Sequence, residues 1–169
     1  VASTKAFLGQ LTVLYILCLK LAFVRKDIDE NIYIKNINNL KKLPEAIDNC
    51  LKNESDVQIM AKEFISAKGS MFLGRGSSFP IALEGALKLK ELSYLHAEGY
   101  PAGEMKHGPL ALIEEGLPVV VIAPKDKYFQ KTISNMQEVI ARGGKILFIT
   151  DNKKESLNEN IRFGFRVPH

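Results

Sequence analysis

The sequence predicts an α/β protein: an α-helical segment, residues 1–68, followed by a small sandwich, residues 69–169, with a mainly parallel sheet. Before residue 69 the apolar residues follow helical spacing, and no strand pattern occurs. After it, the apolar runs 118–123 (PVVVIA) and 145–150 (KILFIT) flank an amphipathic helical stretch. Continuous apolar strands that alternate with helices are typical of βαβ units, whose parallel sheet is buried on both faces.

The first expected helix follows Ser3, which suits an N-cap, and ends near Arg25. Its stretch 6–24 is apolar on nearly all sides and about as long as a membrane-spanning helix. Gln10 and Lys20 interrupt that stretch, and amphipathic segments follow it. We therefore expect a helix buried between two layers of a soluble protein, and no membrane partner.

The remaining expected elements are helices 28–51 and 55–67, strand 70–73, a helix that begins near Pro80, strand 118–123, helix 130–142, and strands 145–150 and 162–167. Pro44 lies inside the first of these helices and should break it. Ser55 is the expected cap of the next helix. The segment 96–109 is rich in glycine and proline, so we predict a loop there.

Composition and charge exclude several classes of protein. The sequence has 23 Lys and Arg residues and 19 Asp and Glu residues, which gives a net charge of +4. Because the basic residues are scattered along the chain, no nucleic-acid partner is expected. Cys18 and Cys50 lack CxxC spacing, so we expect two buried thiols in a reducing cytoplasm. The chain opens on Val1 without a signal-peptide pattern, and we expect it to be a piece of a longer protein.

The segment 74–78 (GRGSS) lies between a predicted strand and a predicted helix. One interpretation is an anion site, because backbone amides and a helix N-terminus meet there. The other is a tight turn that needs glycine for its backbone conformation. Phe79 stands where the dinucleotide-binding motif has its third glycine, and no GK[ST] follows, which excludes a P-loop.

The helix after this loop carries one line of charges. At 100° per residue, Glu84, Lys88 and Glu91 fall within one narrow stripe, and leucine and alanine occupy most of the remaining circumference. The stripe is either a solvent-exposed ion pair or part of a cleft in which the lysine keeps a general base ionised. Spacing alone leaves both interpretations open, but it predicts a largely buried helix.

The predicted loop 96–109 contains the next candidate, His107. Loops concentrate catalytic groups, and the adjacent Lys106 would favour a neutral imidazole, which can act as an acid or a base. A structural or exposed histidine is the alternative. His96 and Glu98 lack a third ligand at a regular spacing, so no metal is expected.

The block 82–113 (ALEGALKLKELSYLHAEGYPAGEMKHGPLALI) resembles the isomerase domain of the glutamine–fructose-6-phosphate aminotransferase family, which is built from two sugar isomerase (SIS) subdomains. The segments 1–7 (VASTKAF) and 73–81 (LGRGSSFPI) resemble the same family. The resemblance implies a SIS-type three-layer sandwich and a cytoplasmic homodimer. It further implies conversion of fructose 6-phosphate and glutamine to glucosamine 6-phosphate without a metal or organic cofactor.

The resemblance also implies roles for particular residues. Glu91 would move a proton between C1 and C2 of the sugar, and Lys88 would stabilise charge beside it. His107 would open the sugar ring, reaching the site of the neighbouring subunit. Val1 and Ser3 would line the sugar pocket. The family holds the sugar phosphate in its first SIS subdomain, which argues against a phosphate role for the segment 74–78.

Parts of the family pattern are missing from the sequence. It shows no glutaminase domain, no first SIS subdomain apart from the trailing helices 1–68, and no C-terminal Schiff-base lysine. We therefore expect the fragment alone to be inactive. Two alternatives remain: a deglycase that acts on a fructosamine phosphate, and a non-catalytic SIS module that binds phosphosugars or dimerises.

Overall fold

The structure is a computed structural model that describes residues 2–151, 161 and 163–168. The chain forms two compact units, Val1–Leu51 and Lys52–His169. The second unit includes the helix that follows Asn53, which packs against the last strand of the sheet.

The first unit consists of three helices: α1 (Thr4–Val24), α2 (Glu30–Leu40) and α3 (Leu43–Leu51). Asp29 caps α2 by accepting a hydrogen bond from the backbone N–H of Ile32 at 2.8 Å. The predicted break near Pro44 is confirmed, since α2 ends at Leu40 and Pro44 lies in the first turn of α3.

The expected burial of α1 is wrong for this unit, because none of the described residues 2–51 is buried. Helix α2 packs beside it, with Phe23 stacked on Tyr33 at a centroid distance of 4.9 Å. One neighbouring helix covers only one side of α1, so leucines on its other sides stay exposed. By length and composition, α1 is the one helix in the described chain that is long and apolar enough to cross a membrane.

The two cysteines also differ from expectation. Cys18 lies on α1 and is exposed, and Cys50 lies on α3 and is half-buried. Both are free thiols. The prediction of two buried thiols fails for the same reason as the prediction for α1: the unit has no closed core.

The second unit is an α/β sandwich whose elements are α4 (Glu54–Ala61), β1 (Gly69–Gly74), α5 (Ser78–Ser93), β2 (His96–Pro101), β3 (Pro118–Ile122), α6 (Phe129–Ile140), β4 (Lys145–Thr150) and β5 (Phe163–Arg166). Short 3₁₀ helices cover Lys62–Phe64, Ala102–His107 and Pro109–Leu112. In the part of the chain that the structure describes, five strands form one sheet in the order β2-β1-β3-β4-β5. Every pair is parallel, which confirms the predicted fold class.

The core lies on both faces of this sheet, because successive side chains of a strand point to opposite faces. On one face, Leu73, Val121 and Phe148 pack with α6 and with the 3₁₀ helix Ala102–His107. On the other, Phe72 and Leu147 belong to a second apolar cluster to which α4 and α5 contribute. Helix, sheet and helix form the three layers expected.

Strand β2 replaces the first part of the loop predicted over 96–109. It pairs in parallel with β1 over the full length of both strands, from Gly69 opposite His96 to Gly74 opposite Pro101. β2 is an edge strand, and of its six residues only Ala97 is buried, so it lacks the apolar run that marks β3 and β4. Gly99 is needed there because a Cβ would lie 2.9 Å from the backbone N of Leu83 on α5.

Candidate active site

Helix α5 is fixed to the sheet by small residues on one face. Ala82 and Ala86 are fully buried, and a Cβ on Gly85 would lie 2.9 Å from the Phe72 ring of β1. This close approach leaves no room for larger side chains on that face. The charged stripe of the helix therefore points away from the sheet.

The stripe brings three charged groups together. Lys88 Nζ donates a hydrogen bond to Glu91 Oε2 at 2.7 Å and lies 3.6 Å from Glu84 Oε1. The Lys88 side chain is 20% exposed and that of Glu91 46% exposed, so the lysine is the more enclosed of the two. The predicted grouping of Lys88 with Glu91 is thus present in the structure.

The two carboxylates act on the ionisation of the lysine. The hydrogen bond to Glu91, together with the negative charges of Glu91 and Glu84, raises the pKa of Lys88 above its ordinary value, against the opposing effect of desolvation. Lys88 therefore remains an ammonium at neutral pH and can stabilise negative charge that develops beside it.

The prediction that α5 is largely buried is wrong. Leu83, Leu87 and Leu92, which lie on either side of the charged stripe, are exposed. The sheet covers only the face with Ala82 and Ala86. The Lys88–Glu91 pair therefore stands on an outer surface of this unit, between exposed apolar side chains.

The 3₁₀ helix Ala102–His107 holds His107. Its Ala102 and Met105 side chains are buried in the core, and its opposite side presents His107 to solvent. The His107 Nδ1 lies 2.7 Å from Oε2 of Glu104, and no hydrogen bond joins His107 to Lys88 or Glu91 among the described residues.

Lys106 does not act on His107 as expected. Its ammonium pairs with Glu138 of α6 at 2.9 Å, so the charged group in contact with the imidazole is the Glu104 carboxylate. Glu104 is not among the site residues that the sequence predicts. Its signal is the spacing of three residues to His107, which places two side chains on one side of a helix, but the glycine and proline content of 96–109 predicts a loop there.

The two residues expected to line the sugar pocket lie at the start of the chain. Val1 is outside the described residues. Ser3 directly precedes α1, with a positive φ of 53°, and its side chain does not cap the helix. Ser3 therefore occupies the predicted N-cap position without a capping hydrogen bond from its side chain, and its expected role in sugar binding stays a prediction.

The segment 74–78 has the geometry of a tight turn. A Cβ on Gly74 would clash with the backbone of Ser78, and Gly76 has a φ of +58°, with space for a Cβ blocked by the Tyr128 ring. Arg75 donates a hydrogen bond to Asn135 of α6 at 3.3 Å, and a Cβ on Gly103 would lie 3.0 Å from Nη1 of Arg75. Both glycines are thus required by backbone conformation and packing, which favours the turn over the anion site.

Comparison with known proteins identifies the family. The SIS domain model matches residues 63–168. This range includes the five described strands, helix α5 with Lys88 and Glu91, and the 3₁₀ helix with His107. The chain belongs to the SIS domain family. The predicted membership of the SIS family is therefore confirmed.

Individual relatives of this SIS chain agree with that result. It is 53% identical over 153 residues to a glutamine–fructose-6-phosphate aminotransferase [isomerizing] of Bradyrhizobium diazoefficiens, covering 90% of this chain and 25% of the relative. The corresponding Brucella melitensis protein is 52% identical with the same coverage. The chain therefore spans about a quarter of the length of these curated relatives.

A solved structure gives the same similarity in three dimensions. The C-terminal domain of glucosamine-fructose-6-phosphate aminotransferase from Francisella tularensis superimposes with a TM-score of 0.93 at 41% identity. The match covers 100% of this SIS chain and 49% of that chain. This SIS chain therefore shares its fold with that C-terminal domain.

Proposed function

We propose that this chain is part of the isomerase domain of an enzyme that converts fructose 6-phosphate and glutamine to glucosamine 6-phosphate. The observation that carries the proposal is the Lys88–Glu91 pair, in which a carboxylate lies 2.7 Å from an ammonium that is protonated at neutral pH, on the helix that follows the first strand of the sheet. The names and identities of the relatives support the choice of reaction within the SIS family.

Glu91 is the proposed base. Once ammonia has formed an imine at C2 of the open-chain ketose, the Glu91 carboxylate removes a proton from C1 and a proton is returned to C2, while the C1 hydroxyl becomes the aldehyde. The Lys88 ammonium lies 2.7 Å from Oε2 of this carboxylate. Lys88, held as a cation by Glu91 and Glu84, stabilises the charge that develops at the reacting carbons.

The other groups of the site are part of the same proposal. His107 opens the furanose ring and acts in the site of the partner subunit of a homodimer, which fits its exposed position at the surface of this unit. Val1 and Ser3 line the sugar pocket. Residues 1–68 follow a first SIS subdomain, and residues 69–169 form the second.

The full-length protein would also carry the glutaminase that supplies ammonia, and it would work in the cytoplasm.

The experiment is to assay the full-length protein that contains these residues with fructose 6-phosphate and glutamine. Formation of glucosamine 6-phosphate, dependent on both substrates, is the expected result. Release of sugar from a fructosamine phosphate without glutamine would indicate a deglycase instead. Binding of the sugar phosphate without turnover would indicate a non-catalytic module.

A further inference from the structure

The 3₁₀ helix Ala102–His107 has three distinct sides, because residues three apart are eclipsed in this type of helix. One side, Ala102 and Met105, is buried in the core. A second side carries Lys106, which pairs with Glu138. The third side holds Glu104 and His107. The buried side and the Lys106–Glu138 pair anchor the helix, so the third side is presented in a fixed orientation.

On that third side, the imidazole and the carboxylate are in direct contact. His107 Nδ1 and Glu104 Oε2 are 2.7 Å apart, a distance typical of a charge-assisted hydrogen bond. A carboxylate only accepts hydrogen bonds, so Nδ1 carries the hydrogen in this pair. In the neutral ring, Nε2 then holds the free lone pair and faces away from Glu104.

We propose that Glu104 is a positioning residue for His107: it fixes the tautomer and the orientation of the imidazole so that Nε2 performs the opening of the sugar ring. The inference rests on the proposed function, because the role of His107 belongs to it. Glu104 itself does not touch the sugar. It acts through Nδ1, as carboxylates do beside catalytic histidines in general.

Ring opening needs one nitrogen that first accepts and then donates a proton. The proton of the hydroxyl on C2 moves to Nε2, the electron pair it leaves forms the C2=O bond, and the C2–O5 bond breaks. O5 then takes a proton from Nε2, which returns the imidazole to its neutral form. During the step the ring is an imidazolium, and the Glu104 carboxylate stabilises that charge.

Among the described residues, Glu104 is the one whose side chain hydrogen-bonds to the His107 imidazole. Glu104 makes no second ion pair in that part of the chain. Lys106, the sequence neighbour, is engaged by Glu138. Both Glu104 and His107 are more than half exposed, so replacing the carboxylate leaves the core unchanged.

The test compares two substrates in the full-length protein. Fructose 6-phosphate must be opened before it reacts, whereas 5-deoxyfructose 6-phosphate lacks the hydroxyl that closes the furanose ring. We expect Glu104→Gln to lower kcat at least about 10-fold with fructose 6-phosphate and to change it less than about 2-fold with the acyclic analogue. Glu104→Asp, which keeps the carboxylate, should restore part of the loss, and Glu114→Gln, an exposed control in the same region, should behave as wild type.

Each alternative outcome is distinct. Equal losses with both substrates would overturn the inference and assign Glu104 a structural role, as would full activity of Glu104→Gln with fructose 6-phosphate. Glutamine hydrolysis and the unfolding temperature of the variant check that it is folded. A wild-type protein that forms no glucosamine 6-phosphate would refute the proposed function itself, and the role of Glu104 with it.

Discussion

The Lys88 ammonium lies 2.7 Å from Oε2 of Glu91, three residues further along α5, and 3.6 Å from Oε1 of Glu84 on the preceding turn. One cation is thus shared by two carboxylates on a helix whose other sides are mostly apolar. The arrangement raises the pKa of Lys88 and so keeps the lysine protonated. Its consequences can be tested separately for catalysis and for stability.

Replacing Lys88 with methionine should lower aminosugar formation about 10²-fold or more, because the charge that stabilises the reacting carbons is lost. Glutamine hydrolysis should continue, since it does not depend on this helix. Lys90→Met is the matched control, because Lys90 lies on the same helix but pairs with Glu98 at 3.1 Å. A loss of similar size in the control would indicate a general effect on α5 rather than a role for Lys88.

The same pair predicts a pH dependence of stability. The folded pKa of Lys88 lies above its ordinary value of 10.5, so its stabilising effect is fully present below about pH 10 and is lost as the pH rises through the folded pKa. The difference in unfolding midpoint between wild type and Lys88→Met should be constant from roughly pH 8 to 10 and shrink above that range. Tyrosine ionisation affects both proteins and cancels in the difference. A difference that grows at high pH would contradict the expected sign.

The turn interpretation of the segment 74–78 predicts a steric effect at Gly76. An alanine there must adopt a φ of +58°, and its Cβ would lie 2.5 Å from Cε2 of Tyr128. We expect Gly76→Ala to lower the free energy of unfolding by roughly 2–4 kcal/mol, measured by denaturant titration.

A double-mutant cycle separates the two causes of that loss. If the ring contact contributes, Gly76→Ala combined with Tyr128→Ala should be less destabilised than the sum of the single variants. Strict additivity would assign the whole loss to the backbone conformation.

The strands show which elements of the sheet an apolar sequence pattern predicts and which it does not. β1, β3 and β4 are confirmed close to their predicted bounds, because parallel strands buried on both faces must be continuous apolar runs. β2 is not predicted from the sequence, because an edge strand needs no such run and its polar residues are typical of a loop. Its presence follows from pairing with β1, and pairing leaves no local signal.

The candidate site also has a part that the sequence predicts and a part that it does not. The grouping of Lys88 with Glu91 follows from α-helical spacing alone, and the structure contains it. The contact between His107 and Glu104 depends on a 3₁₀ helix in a segment whose glycine and proline residues predict a loop, where helical spacing does not apply. The burial of α1 could not be predicted for this unit, since hydropathy indicates that a helix requires a cover but not where that cover comes from.

The most direct test of the proposed mechanism is the ratio of glucosamine 6-phosphate formed to glutamine hydrolysed by Glu91→Gln in the full-length protein, with Glu98→Gln as the control. If Glu91 moves the proton from C1 to C2, the ratio should fall at least about 10²-fold, while hydrolysis of glutamine persists and the control resembles wild type. A Glu91→Gln protein that forms the aminosugar at more than about 10% of the wild-type rate, a far smaller loss than removal of a general base causes, would contradict the role of Glu91.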